Sequence, residues 1–408
     1  MRLLHAERGV TATTARPPPA PAPAGDPGPA DAVDRQRTLR VLVVAIVVLV
    51  AAGVGIGVHA AVTGSRTGGR GIPLVVTEAP VRAVHVQGNQ LVGASGRPIR
   101  LLGVNRSGTE YACIEGWGIF DGPSDAASIS AMMAWHIDAV RIPLNEDCWL
   151  GVNGVSPLYG GAAYRSAITA YVALLRARGL VVVLNLHWSA PGTTPATGQQ
   201  VMADAGHSIA FWRSVAGAFR NDPAVVFDLY NEPHGISWSC WLIGCRSPGG
   251  WQTAGMQQLV DAVRGTGARQ PIIAGGLGNA SNLAGWSAHR PDDPAHQLVA
   301  GFHAYNFSGC TSLRCWNTQL GRVARSVPVV AGEIGENDCA SRFVDRFMAW
   351  ADRHEVSYLA WTWNTWGCAA GPALISSYAG TPTPFGAGVR AHLALLARSA
   401  GGRRDRPA

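Results

Sequence analysis

The chain predicts an α/β fold, a (β/α)8 TIM barrel preceded by a short N-terminal hairpin and a single transmembrane helix. Three observations carry that expectation. Eight apolar runs of strand length alternate with longer helical patterns between about residues 99 and 398, and such alternation gives a parallel sheet. Each run closes on a polar or aromatic residue, as barrel strands do where their C-terminal ends converge on one functional face. Hydrophobic residues make up 47% of the 408 positions and charged residues only 14%, which suits one large core. An open doubly wound sheet is the alternative, but no Gly-x-Gly-x-x-Gly follows the first strand.

The elements follow in order. Residues 1–40, Pro/Ala-rich over 14–31, read as a disordered cytoplasmic tail. Residues 41–63 are apolar apart from glycines and His59, and about 20 such residues span a bilayer. They read as a signal anchor, with Arg35, Arg37 and Arg40 favouring a cytoplasmic N-terminus and an extracellular domain. Cleavage near Ala60 and secretion is the alternative, since Val58-His59-Ala60 fits a small-residue cleavage site. Residues 64–80 form a linker, 81–398 the barrel domain and 399–408 a basic disordered tail. The alternation from Val84 to Val92 around Gly88-Asn89 predicts a hairpin. Barrel strands are expected near 99–105, 138–143, 181–187, 224–230, 271–275, 298–304, 328–333 and 357–363. Helices are expected near 125–136, 162–178, 206–220, 251–265, 280–288, 316–325, 340–354 and 387–398.

Charge and cysteine usage narrow the function. The net charge is +7, and every basic residue is arginine. Much of the excess lies at the two ends, and no basic stripe interleaved with aromatics suggests nucleic-acid binding. All eight cysteines follow the apolar run, and an even number in an exported domain implies disulfides. The Cys-x4-Cys spacings recur without a matching histidine pattern, so no metal is expected. No cofactor is implied, and the domain reads as a monomer.

The chemistry lies at the strand ends. Asn231-Glu232-Pro233 closes the fourth run and Glu333 closes the seventh. Two carboxylates at the ends of separate barrel strands suggest glycosidic bond cleavage. Glu232 is the candidate acid and must hold its proton through burial or a nearby negative charge. Glu333 is the candidate nucleophile, with Arg141 as the cation that keeps it ionised. Side chains reaching inward from opposite sides of the mouth leave carboxyls about 5–5.5 Å apart, the separation of a retaining enzyme. Asn105, Arg141, His187, Asn231, His303, Tyr305, Trp361 and Trp363 complete the rim. Arg106, Glu110, Glu115, Glu146 and Asp147 are expected to make that rim charged. Glu336 lies past the strand end and reads as rim. Of the 14 tryptophans, Trp135, Trp212 and Trp350 sit at helical positions and read as core. Trp117, Trp149, Trp188, Trp238, Trp241, Trp316 and Trp366 fall in loops, where indole can stack on sugar.

Arg141-Ile142-Pro143, Leu186-His187-Trp188, Asn231-Glu232-Pro233, His303-Ala304-Tyr305, Gly332-Glu333 and Trp361-Thr362-Trp363-Asn364 follow the order and spacing of glycoside hydrolase family 5. The chain resembles that cellulase-containing family of retaining (β/α)8 glycosidases over roughly residues 82–395. The resemblance implies that Glu232 is the acid/base and Glu333 the nucleophile. It implies that Asn231 holds the sugar 2-hydroxyl and that Tyr305 bonds the nucleophile. Arg141, His187 and His303 match the remaining polar shell, and Trp363 matches the stacking platform. The implied partner is a β-linked polysaccharide or oligosaccharide, foremost β-1,4-glucan cut internally. β-Mannan, β-1,3-glucan and transglycosylation belong to the same scaffold. A non-catalytic glycan-binding protein is the competing class, and retention of both glutamates argues against it.

Strand adjacency in the barrel suggests the disulfides. Cys113 and Cys148 follow neighbouring strands, as do Cys339 and Cys368. Cys240–Cys245 and Cys310–Cys315 would staple single loops. Eight cysteines allow 105 connectivities, so this pairing is a sharp expectation.

Overall fold

The computed structural model describes residues 82–404 except Ala370, without the side chains of 400–404. The predicted tail, membrane span and linker lie outside the described residues. Among those that are described, no helix is long and apolar enough to cross a membrane.

The described chain opens with a three-stranded antiparallel sheet, β1 (Val84–Gln87), β2 (Gln90–Gly93) and β3 (Pro98–Ile99). Its first turn needs a positive φ, and Gly88 supplies it at 63° without steric cost. Eight parallel strands follow: β4 (Leu102–Asn105), β5 (Ala139–Asn145), β6 (Val181–Trp188) and β7 (Val225–Asp228), then β8 (Ile272–Gly275), β9 (Leu298–Tyr305), β10 (Val329–Gly335) and β11 (Ser357–Ala360). They pair in sequence order, and β11 closes on β4. The barrel expectation therefore holds.

Strand alternation sorts the side chains into two cores. Val140, Ile142 and Leu144 of β5 face outward onto the helices. Ala139 faces inward with Val181, Val183, Val226, Ile273, Val299, Val330 and Leu359. Val84 and Leu91 of the hairpin join this inner cluster. The hairpin thus plugs the N-terminal end of the barrel, opposite the site. Gly103 allows β4 and β5 to approach there, because a Cβ would strike the Ala139 carbonyl oxygen.

The helices are amphipathic. Ala162–Ala177 buries Tyr164, Ile168, Tyr171, Val172 and Leu175, a spacing of three to four that lines one face. Asp125 caps Ala126–Met133 by accepting from the Ser128 N–H. Ser208–Phe219, Met256–Arg264 and Arg342–Arg353 occupy their expected places, whereas the last helix, Pro384–Arg404, runs on through residues 399–404, which were expected to belong to a disordered tail. Two further expectations change. The predicted helix near 280–288 is a loop with one 3-10 turn, Trp286–Ala288, because Asn279 and Ala280 both take positive φ. The predicted helix near 316–325 is two short pieces, Leu313–Thr318 and Leu320–Val323. A small hairpin, β12 (Ile375–Ser377) with β13 (Thr381–Pro382), precedes the last helix.

All four disulfides pair as expected: Cys113–Cys148, Cys240–Cys245, Cys310–Cys315 and Cys339–Cys368. Each lies beyond the C-terminal ends of the strands, so all four brace the same face.

Candidate active site

Glu333 reaches the mouth through a local irregularity. Val330 points into the barrel and Ala331 out, so regular alternation would turn Glu333 outward. The pairing of β10 with β9 shifts register between Ala331 and Glu333. A one-residue bulge of this kind re-aims a side chain. Glu333 therefore points inward, while Ile334 returns to the outer core.

Three groups hold the Glu333 carboxylate. Arg141 Nη1 donates to Oε1 at 2.8 Å and Tyr305 Oη donates to Oε2 at 2.6 Å. His303 Nδ1 stands 3.4 Å from Oε2. Burial and the two neighbouring glutamates hold the Tyr305 phenol well above its ordinary range, so it stays a donor. Arg141 is fully buried. It also donates to Asp228 Oδ2 (2.8 Å), Asn105 Oδ1 (2.8 Å) and Asn231 Oδ1 (2.7 Å). Burial alone would weaken its charge, but Asp228 and Glu333 strengthen it beyond the ordinary arginine.

Glu232 stands across the mouth and is the more open carboxylate, with 19% of its side chain exposed. His303 Nδ1 lies 2.9 Å from Oε1. Gln199 Nε2 and Asn279 Nδ2 donate to Oε2 at 3.1 and 3.3 Å. Burial pushes this carboxyl up, but His303 and the two amides outweigh it and leave it below the usual glutamate value. The expectation of a raised pKa is thus reversed in the open cleft, because His303 and, after it, the loop amides favour the ionised form.

One carboxylate oxygen of each glutamate and His303 Nδ1 lie within 4.8 Å of one another. Arg141, Tyr305, Gln199 and Asn279 already point donors at those oxygens, an arrangement hostile to a cation. A second cluster, Glu146, Asp204 and His207, is likewise filled by the Ala190 N–H, the Ser208 hydroxyl and the Gly206 and His207 N–H groups.

His187 donates from Nδ1 to Asn185 Oδ1 at 2.9 Å and stacks on Trp361 with ring centres 5.3 Å apart. Burial pushes its pKa down to about 3, so it presents a neutral, accepting Nε2. Phe307, 60% exposed, stacks on Tyr305. These groups line a cleft of about 510 Å³. Beside it, Tyr111 gathers Trp117, Trp188 and Trp366 at 5.8–6.2 Å between ring centres. Asp121 fixes this shelf by accepting from the Tyr111 hydroxyl and from Trp366 Nε1.

Most expected rim residues meet here, with corrections. Trp363 is fully buried and packs edge-on against Trp135. The strand ends at Ala360, alternation stops there, and Trp361 rather than Trp363 lines the cleft. Glu336 is buried and accepts from the Phe343 and Val344 N–H groups, so it caps the next helix. Arg106, Glu110, Glu146 and Asp147 are buried supports of loops rather than exposed rim charges. Trp149, Trp241 and Trp316 are buried in short helices. Sequence reasoning missed Asp228, Gln199 and Asn279. Asp228 carried a signal, a charge at the inward parity of an apolar strand. Gln199 and Asn279 lie in loops, where no periodicity marks them.

Known proteins share the family and the fold of this chain. The family model described as Cellulase (glycosyl hydrolase family 5) matches residues 92–367. Endoglucanase CelA of Streptomyces lividans is 23% identical over 304 residues, 69% of this chain and 56% of that protein. Endoglucanase MaCel5A of a Microbulbifer strain is 22% identical, covering 70% and 54%. The chain thus spans about half the length of these relatives. Among solved structures, beta-glucanase SdGluc5_26A of Saccharophagus degradans superposes with a TM-score of 0.60 at 18% identity. It covers 77% of this chain and 94% of that one. Endoglucanase Cel5A of Thermobifida fusca gives 0.54 at 19%, covering 76% and 97%. At these identities the solved structures show the fold.

Proposed function

Because the chain belongs to the cellulase family, glycosyl hydrolase family 5, we propose that it is a retaining glycoside hydrolase acting on a β-linked polysaccharide, as an endo-β-1,4-glucanase. One observation carries this reading: two glutamates face each other across the mouth with one carboxylate oxygen of each within 4.8 Å, a close approach that suits the narrow carboxyl separation of retaining enzymes, about 5–5.5 Å, better than the wider gap of inverting ones. Glu333, oriented by Arg141 and Tyr305, attacks the anomeric carbon. Glu232 gives a proton to the leaving oxygen, then takes one from the water that releases the sugar. Asn231, held by Arg141, meets the 2-hydroxyl. The proton that Glu232 needs comes with substrate, since a filled cleft loses water and burial then favours the neutral acid.

Two further facts support the glucan assignment. Both relatives above are endoglucanases by name, and SdGluc5_26A has been crystallised with cellotetraose. The shelf of Tyr111, Trp117, Trp188 and Trp366 offers aromatic faces on which further sugars of a polymer would stack.

Export belongs to the same proposal. Four disulfides with no free cysteine among the described residues suit an oxidising compartment. Residues 41–63 would anchor the domain outside the membrane. Protease shaving of intact cells should then remove the barrel, and its protection would place the domain inside.

The deciding experiment screens the full chain on β-1,4-glucan, β-mannan and β-1,3-glucan for release of reducing ends. Highest activity on β-1,4-glucan is expected, with E333Q lower by roughly 10³-fold or more. Equal activity in E333Q would remove Glu333 as nucleophile. Inactivity on every β-glycan would favour a binding protein.

A further inference from the structure

We propose that Gln199 is a positioning residue that relays to Glu232 the hydrogen-bond direction imposed by Arg141, and so decides which oxygen of the acid carries the proton. The inference rests on the functional reading above and deepens it.

Arg141 has no choice of hydrogen-bond direction. A guanidinium only donates, and Arg141 Nη2 meets Asn231 Oδ1 at 2.7 Å. That contact fixes the Asn231 amide, whose Nδ2 must turn the other way. It faces Gln199 Oε1. Gln199 is fixed in turn, and its Nε2 faces Glu232, 3.1 Å from Oε2 and 3.3 Å from the main-chain oxygen. One arginine thereby orients two amides in series, and the series ends as a donor on Glu232 Oε2. Asn279 Nδ2 adds a second donor to the same oxygen. An O–H on Oε2 would confront both. The acid form therefore keeps its proton on Oε1, which faces only His303 Nδ1, a ring nitrogen that accepts when the imidazole carries its proton on Nε2.

Gln199 is placed firmly enough for this role. It lies in the loop between β6 and Ser208–Phe219, outside regular structure. The Tyr230 hydroxyl pins the adjacent Gln200 through both its N–H and its carbonyl. Asp147 and Asn145 hold Ala196 in the same way. The other charged or titratable groups facing Glu232 are His303 on β9, Glu333 on β10, Arg141 on β5, Tyr305 and the nearby His234.

Two substitutions separate the two contacts. Q199E keeps an acceptor for Asn231 but replaces the donor on Glu232 with a carboxyl oxygen. Q199L removes both. Each makes ionised Glu232 less favourable, so the alkaline limb of kcat/KM should move to higher pH by about one unit. The maximal kcat on β-1,4-glucan should fall about 10- to 100-fold. KM should rise in Q199L, where Asn231 loses its partner, and hold in Q199E. If Q199L does not fold, the near-isosteric Q199E carries the test alone. An alkaline limb that superimposes on wild type in a folded variant overturns the proposal, whatever the loss of rate. Wild-type inactivity on all β-glycans, or an active E333Q, would instead overturn the functional reading beneath it.

Discussion

The two glutamates of the mouth are held by different kinds of structure. Glu333 sits inside a strand, at its bulge, and its partners Arg141, Tyr305 and His303 are strand residues too. Glu232 lies four residues past the end of β7, and Gln199 and Asn279, which grip its outer oxygen, come from loops. The strand-held carboxylate meets a buried cation and a phenol. The loop-held one meets two amides and a histidine and keeps contact with solvent. A permanent anion and a group that must gain and lose a proton need these different surroundings.

The largest test of that contrast uses the leaving group. With an aryl β-cellobioside that departs without protonation, E333A should still lose roughly 10³-fold or more, while E232A should keep most of its first step. Equal losses in the two variants, measured as pre-steady-state aryl release, would erase the distinction. Next in size is R141M, which strands Asp228 and Glu333 beside an apolar chain. Breaking a buried pair this way costs about 3–5 kcal/mol, read as a lower midpoint in urea unfolding.

The disulfides divide along the same line. Cys339–Cys368 ties the loops after β10 and β11 across a separation of 29 residues, whereas Cys240–Cys245 staples one loop after β7 across 5. Loop-closure entropy predicts losses of about 3–4 kcal/mol for the C339S/C368S pair and about 2 for C240S/C245S. Calorimetry of the two double variants should find the nucleophile side more dependent on its bridge.

The smallest effect concerns Glu110, buried behind the mouth with its Oε2 accepting from the Gly108 N–H at 2.7 Å. Burial pushes this carboxyl up to about 8. Below about pH 4.5 the folded and unfolded chains both hold the proton. Between there and pH 8 only the unfolded chain releases it, so stability falls as pH rises. E110Q cannot ionise and should lose this slope. Its melting temperature should exceed wild type increasingly toward pH 8, by roughly 2–4 °C for each kcal/mol recovered. Parallel curves would show that Glu110 does not titrate there.

These contrasts also explain what the amino-acid sequence revealed. Strand-borne residues were legible, because a period of two and a shared C-terminal face place Arg141, His303, Tyr305 and Glu333 together. The disulfides were legible for the same reason, since neighbouring strands bring their loops together. Legibility ended where the period ended. Beyond the last strand residue Trp363 turned into the core and left Trp361 alone at the cleft, and Gln199 arrived from a loop with no pattern to announce it. Glu333 itself reached the mouth through a bulge that strict alternation would have denied it.

Arg141 has one more consequence. Four of its five N–H donors are engaged by Asn105 on β4, Asp228 and Asn231 at the end of β7, and Glu333 on β10, the last lying 192 positions away in the chain. A sheet that has not curled shut leaves the nucleophile on a remote edge without its cation. Active-site assembly and barrel closure are therefore one event, and the return of turnover in a refolding chain times the moment at which the cylinder shuts.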